Sequence, residues 1–237
     1  MARNSILVRS LRRALVDLAD PVKAPAMRAY MKSEMPYLGV STVPQRKASK
    51  AVFAAHPLET FEDWRDTILN LWRKARYREE RYAAIELAGY PRYRKFQTMD
   101  TLAMYEEMIT SGAWWDYVDA LASHQIGELL RRYPAEMAGT LRQWAVCDNL
   151  WKRRSAILAQ LQFKHDTDLE LLYDCIRPSL DSSEFFLRKG IGWALRQYAW
   201  TDPREVQRYV RKHESQLSPL SRREALKNVG PHSSRLR

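Results

Sequence analysis

The segment WWDYVD, residues 114–119, sets two tryptophans directly against two carboxylates, Asp116 and Asp119. Trp115 stands four residues before Asp119, so on a helix both project from one face. A carboxylate walled by an indole has two chemical uses. It stabilises positive charge that develops on a bound molecule, or it orients and deprotonates a water. The plainer reading is a core helix with an acidic back, because tryptophans at helical spacing are usually core. Trp114 groups with Val118 and Leu121 in a core stripe, which leaves Trp115 as the exposed wall. Asp116 reads most simply as a solvated acid near a helix start, where the dipole favours it. Asp148, ahead of NLWKRR, reads most simply as an N-cap.

Two further segments repeat the combination of ring and charge. Trp151 precedes Arg154 by three residues, and Trp193 follows Lys189 by four. A series of short helices must carry them. Pro21, Pro44, Pro134, Pro203 and Pro219 fall where helices start or where the preceding one has stopped. Thr60, Thr98, Asp148, Ser182 or Ser183, Asp202 and Ser218 suit N-caps. The pattern predicts helices near 5–18, 22–35, 43–55, 60–75, 78–89, 98–110, 114–131, 135–146, 149–163, 167–177, 184–199, 203–213 and 219–229. No stretch alternates with period two, so the expected fold class is all-α.

After the first helix these elements fall into six pairs. In the second helix of each pair a charged residue recurs, followed by small and aliphatic ones. The six are RKAS at Arg46, RYAA at Arg81, DALA at Asp119, RSAI at Arg154, KGIG at Lys189 and REAL at Arg223. Their spacings of 35, 38, 35, 35 and 34 residues are those of a HEAT-like helical repeat solenoid. The small residue beside each charge lets stacked helices approach closely. The expectation is one domain over 1–229, six helix pairs plus an N-terminal helix, followed by a basic, disordered tail GPHSSRLR over 230–237. Five of the six positions are basic and one is Asp119. If the second helices line a concave face, that face is a basic groove suited to phosphates. A carboxylate inside it repels the same phosphates and needs another purpose. The plain alternative is that these charges only cap the rim of a packed stack.

Composition limits the possibilities further. The chain has 237 residues, is 46% hydrophobic and has only 8 glycines, which argues for a helical core and against wholesale disorder. A net charge of +11 favours a polyanionic partner, nucleic acid before acidic membrane. No apolar run is long enough to cross a bilayer, and the Arg-rich opening follows a helical stripe through Ile6, Leu7, Leu11, Ala14, Leu15 and Leu18. Cys147 and Cys175 make no framework, so a reducing cytosol is the expected compartment. The five histidines, His56, His124, His165, His213 and His232, have no ligand spacing, and P-loop and dinucleotide glycine motifs are missing. No metal or cofactor is expected.

Together, WWDYVD (114–119), DNLWKRR (148–154) and EFFLRKGIGWALRQYA (184–199) resemble the signature segments of the AlkD family of DNA alkylation-repair glycosylases. PLSRREALKNV (219–229) and MRAYMKSEMPYLGV (27–40) resemble its terminal segments in the same order. The resemblance implies a HEAT-like solenoid that excises cationic alkylpurines, such as 3-methyladenine and 7-methylguanine, from duplex DNA without flipping the base. By that resemblance Asp119 is the catalytic carboxylate, Trp115 and Trp193 wall the lesion site, and Arg154 contacts the DNA backbone there. Arg46, Arg81, Lys189, Arg196, Arg223 and Tyr30 complete the candidate DNA-binding set. A nucleoid-associated cytosolic monomer is expected. The rival is a non-catalytic HEAT-like module that binds DNA or protein through its basic groove; cleavage of RNA or nucleosides is a third reading. A lyase would need an amine nucleophile, and nothing marks Lys189 as one.

Overall fold

The computed structural model describes residues 3–229, with side chains from Ser5 onward. The expected tail over 230–237 lies outside them. Fourteen α-helices and no strand occur among the described residues, and the helices pack in adjacent pairs. The chain divides into two compact units between Gln97 and Thr98.

The first unit holds α1 (Arg3–Val16), α2 (Ala24–Tyr30), α3 (Thr42–Ala55), α4 (Phe61–Arg73) and α5 (Arg78–Ala88), then a 3-10 turn over Pro91–Phe96. Helix α1 packs on α3 and α4, and α5 packs on both of these. Leu7, Leu11 and Leu15 carry the buried stripe of α1, while Ile6 and Leu18 lie outside it. Buried Trp64 and Trp72 of α4 supply the largest side chains, and the indole N–H of Trp64 donates to the Leu87 carbonyl at 3.2 Å. The YLGV segment is tied down by a carboxylate. Fully buried Glu79 accepts the backbone N–H groups of Leu38, Gly39 and Val40 at 2.9–3.1 Å. Its charge is therefore spent on structure.

The second unit holds α6 (Leu102–Gly112), α7 (Trp115–Ala120), α8 (Gly127–Arg132), α9 (Pro134–Val146), α10 (Leu150–Leu158), α11 (Leu169–Ile176), α12 (Phe185–Tyr198), α13 (Pro203–Lys212) and α14 (Pro219–Ala225). Alternate helices touch in succession: α9 meets α11, α10 meets α12, and α12 meets α14. Small residues permit this approach. A Cβ on Gly192 would lie 2.5 Å from Glu224 Cβ and 2.9 Å from the Ser221 carbonyl. Gly192 of the KGIG segment is therefore a contact point between α12 and α14.

Thr60, Asp202 and Ser218 cap α4, α13 and α14 as expected. Three local expectations give way. The residue that precedes α12 is Glu184, with no side-chain cap, rather than Ser182 or Ser183. The cap of α10 is Asn149 rather than Asp148, its amide oxygen accepting from Trp151 and Lys152 at 3.0 Å. The single helix expected over 114–131 contains a π-helical stretch, Leu121–Ile126, between α7 and α8. Hydrophobic spacing cannot reveal one widened turn. There Ser123 donates its hydroxyl to the Asp119 carbonyl at 2.7 Å, at the start of the wide turn.

Candidate active site

The site is built where α7 begins. Ala113 takes a left-handed conformation, φ +42°, and stops α6. Trp114 is extended and caps α7, so Trp115 is its first helical residue and Asp119 sits one turn later. From α10, Arg154 reaches this carboxylate with both edges of its fork. Arg154 Nε lies 2.7 Å from Asp119 Oδ1, and Nη2 lies 2.8 Å from Oδ2. Nη1 donates to the Phe186 carbonyl at the start of α12. Gly190, one turn further along α12, leaves room for that nitrogen; a Cβ there would stand 3.1 Å from it.

Burial decides the electrostatics. Asp119 is 9% exposed and Arg154 3%. Burial pushes the Asp119 carboxyl above the usual carboxylate range; the hydrogen bonds and charge of Arg154 oppose this, and Asp116 adds to the rise. The side chain of Asp119 keeps 12% of its surface against 4% for Arg154, so access to the pair is through the carboxylate. Trp115 is half-buried on the face of α7 that carries Asp119. Trp193 is half-buried too, and three residues beyond Gly190 it shares that residue's face of α12.

Behind the pair lies a cluster of three rings. Phe186 packs against Trp151 at 5.0 Å and edge-on against Trp114 at 5.5 Å, and the two indoles are 6.3 Å apart. The spacing puts Trp114 in a helical stripe with Val118 and Leu121; instead it is the extended, half-buried residue before α7, belongs to this ring cluster, and its indole nitrogen is buried without a hydrogen-bond partner. Trp151 is a core ring as well, 8% exposed.

A family model described as "DNA alkylation repair enzyme" matches residues 11–229, nearly the whole chain. The chain belongs to that family. A solved structure, "Predicted DNA alkylation repair enzyme from Enterococcus faecalis", is similar at 29% identity with a TM-score of 0.80, covering 90% of this chain and 97% of its own. A search among curated proteins returned no match.

Within this DNA alkylation repair chain the remaining candidate residues are dispersed and mostly paired. In the first unit Tyr30 is 78% exposed, and exposed Arg46 contacts Glu86 at 3.1 Å. Burial raises the Glu86 carboxyl, against the charge of Arg46. Arg81 lies over the Trp72 ring at 4.7 Å. In the second unit Arg223 is exposed, whereas Lys189 and Arg196 both meet Glu224. Lys227 joins the same carboxylate at 2.6 Å. Burial opposes the ionisation of Glu224, but hydrogen bonds and charge from Lys189 and Lys227 outweigh it and hold the carboxyl down to about 2. Sequence reasoning missed Glu224, Phe186 and Gly190. The only available signals were the glutamate in REAL and the glycine in KGIG, and a backbone acceptor such as the Phe186 carbonyl has none. No group of three His, Cys, Asp or Glu residues able to hold a metal occurs among the described residues, and none of their helices is long and apolar enough to cross a membrane.

Proposed function

We propose that the protein is a monofunctional DNA N-glycosylase that hydrolyses the bond between deoxyribose and a cationic alkylated purine, of the 3-methyladenine or 7-methylguanine type, in duplex DNA. The observation that carries this reading is Asp119, a carboxylate held nearly dry by a two-pronged arginine yet still open on one side. The helix pairs form a HEAT-like solenoid whose basic groove holds the duplex, and the target base stays in the stack.

A purine alkylated at N7 or N3 is already a cation and leaves without being protonated, so no general acid is required. The remaining barrier is positive charge on the sugar as the bond stretches. Glycoside hydrolysis meets the same demand with carboxylates. Asp119 stabilises that charge and orients the attacking water. Arg154 leaves the second lone pair of each carboxylate oxygen available, because its fork uses one on each. Trp115 and Trp193 offer ring faces that attract a cationic sugar or base, worth roughly 0.5–2 kcal/mol each. This attraction grows as charge develops, so it serves the transition state as well as binding.

The test is base release from methylated duplex DNA, with the product identified, by wild type and Asp119→Asn. Release of 3-methyladenine or 7-methylguanine that the variant loses supports the reading. DNA binding with no release by wild type would instead make the protein a binding module.

A further inference from the structure

We propose that Trp114, Phe186 and Gly190 are positioning residues for the Asp119–Arg154 pair: the three-ring cluster fixes the start of α12, and the Phe186 carbonyl with the bare backbone at Gly190 seats the guanidinium on the carboxylate. The inference rests on the reading above only in taking Asp119 as the acting group.

An arginine side chain has many rotamers and holds one geometry only where its surroundings fix it. Three helices share that task here. Trp114 precedes Asp119 by five residues on the strand of chain that enters α7, and Trp151 precedes Arg154 by three on α10. Phe186 itself supplies the carbonyl for Arg154 Nη1. Each ring of the cluster therefore belongs to the element that carries one part of the pair. Moving any ring moves one of the three contacts relative to the other two.

The floor of the seat is equally specific. Phe186 and Gly190 are one turn apart and stand on one face of α12. Any side chain at 190 would meet Arg154 Nη1 at 3.1 Å and shift it by a few tenths of an ångström. The buried indole nitrogen of Trp114 has no hydrogen-bond partner, so that position uses the shape of the ring rather than its N–H. Arg154, 3% exposed, commits three of its five donors to Asp119 and the Phe186 carbonyl.

The consequence is a titration. Charged and titratable groups on the elements packed around the pair are Asp116 on α7, Glu106 and Glu107 on α6, His124 on the π segment, Lys152, Arg153 and Arg154 on α10, and Arg188, Lys189 and Arg196 on α12. Lys189 and Arg196 are committed to Glu224. Lys152 is committed to Glu106 at 2.6 Å, and Arg153 to Ser179 and the Pro178 carbonyl. The charges that bear on Asp119 are those of Arg154 and Asp116, and only Arg154 favours ionisation. Loosening Arg154 must therefore raise the pH at which Asp119 gives up its proton.

The experiment compares Gly190→Ala and Phe186→Leu with Leu195→Ala, a variant of a fully buried residue in the same unit. The Asp119 carboxyl is titrated by 13C NMR in each protein without DNA, and base release is followed against pH. Gly190→Ala and Phe186→Leu should shift the titration to higher pH and move the acid limb of base release with it, with kcat down about ten-fold. Leu195→Ala should lower the melting temperature and leave both midpoints in place. Midpoints unchanged in Gly190→Ala and Phe186→Leu, with any loss of activity matching the fraction unfolded, would overturn the proposal. Because the titration needs no substrate, a wild type without base release defeats the glycosylase reading and still leaves this one decided.

Discussion

Two buried carboxylates on stacked helices of the second unit, Asp119 and Glu224, have opposite fates. Both take part in ion pairs spanning about one repeat, Asp119 with Arg154 and Glu224 with Lys189, each 35 residues away. Asp119 has one cation, and burial wins, so its proton is held more tightly than usual. Glu224 meets Lys189, Arg196 and Lys227, and the hydrogen bonds and charge of Lys189 and Lys227 outweigh its burial. A carboxylate compensated once stays basic and electrostatically hungry, as a group that must meet a developing cation should. One compensated three times has no charge left to lend. Under the proposed function, the difference separates the acting carboxylate from one committed to holding helices together.

The largest effect expected of that contrast is at Asp119. Replacing it with asparagine should lower base release about 100- to 1000-fold, the usual cost of removing one electrostatic stabiliser. It should also destabilise the protein by about 3–5 kcal/mol, because buried Arg154 loses its counter-ion. Adding Arg154→Met removes the stranded charge. The double variant should regain most of the melting temperature and none of the activity. If activity returned with stability, Asp119 would be structural and the contrast with Glu224 would disappear.

The second effect is read against pH. The raised Asp119 carboxyl gains its proton at a pH above the ordinary 3.8, so base release should fall about ten-fold per pH unit below that raised midpoint. Glu224 works in the opposite sense. Its carboxyl is held at about 2 against an ordinary 4.5, so the stability it contributes is full above 4.5 and is lost as pH falls through about 2. Activity should thus disappear while the protein is still folded. Circular dichroism and base release measured together over the acid range check the order, and coincident transitions would contradict it.

Glu224→Gln comes third. The cations it holds are partly exposed, with side chains 39% exposed at Lys189 and 49% at Lys227, so water takes over part of their stabilisation. The loss should be about 1.5–3 kcal/mol, the range for a hydrogen bond to a charged group. Lys189 and Arg196 are then freed for phosphates. Affinity for undamaged duplex should rise, and the dependence of binding on salt should steepen by about one to two contacts. A variant that loses stability without gaining affinity would remove Lys189 and Arg196 from the DNA-binding set.

Much of this was legible in sequence, for identifiable reasons. Helix positions followed from prolines and caps at Thr60, Asp202 and Ser218, which act within one turn of themselves. Asp119 and Arg154 were legible because both stand in the recurring frame of charged residues, 35 apart, and they do meet. Long-range partners were not. Arg46, Lys189 and Arg196 read as free cations, yet Glu86 and Glu224, the second of them inside the REAL segment itself, pair with them. The π segment after Asp119 was hidden as well, since one widened turn leaves the apolar pattern intact.

The smallest effect is the one that isolates the charge at Asp119 from charge nearby. Asp116 lies three residues away on the same helix and raises the Asp119 carboxyl by repulsion, the weakest of the influences on it. Asp116→Asn makes the same chemical change without touching Arg154's counter-ion. Removing the repulsion lowers the Asp119 midpoint slightly, so the acid limb of base release should move to lower pH while the rate at neutral pH stays within a few-fold. The sign is the useful part. Loosening Arg154 moves the limb up and removing Asp116's charge moves it down, which no general loss of structure can imitate. A limb that moved up in Asp116→Asn would mean that Asp116 helps to hold the pair, and the single-cation account of Asp119 would have to be replaced by a network.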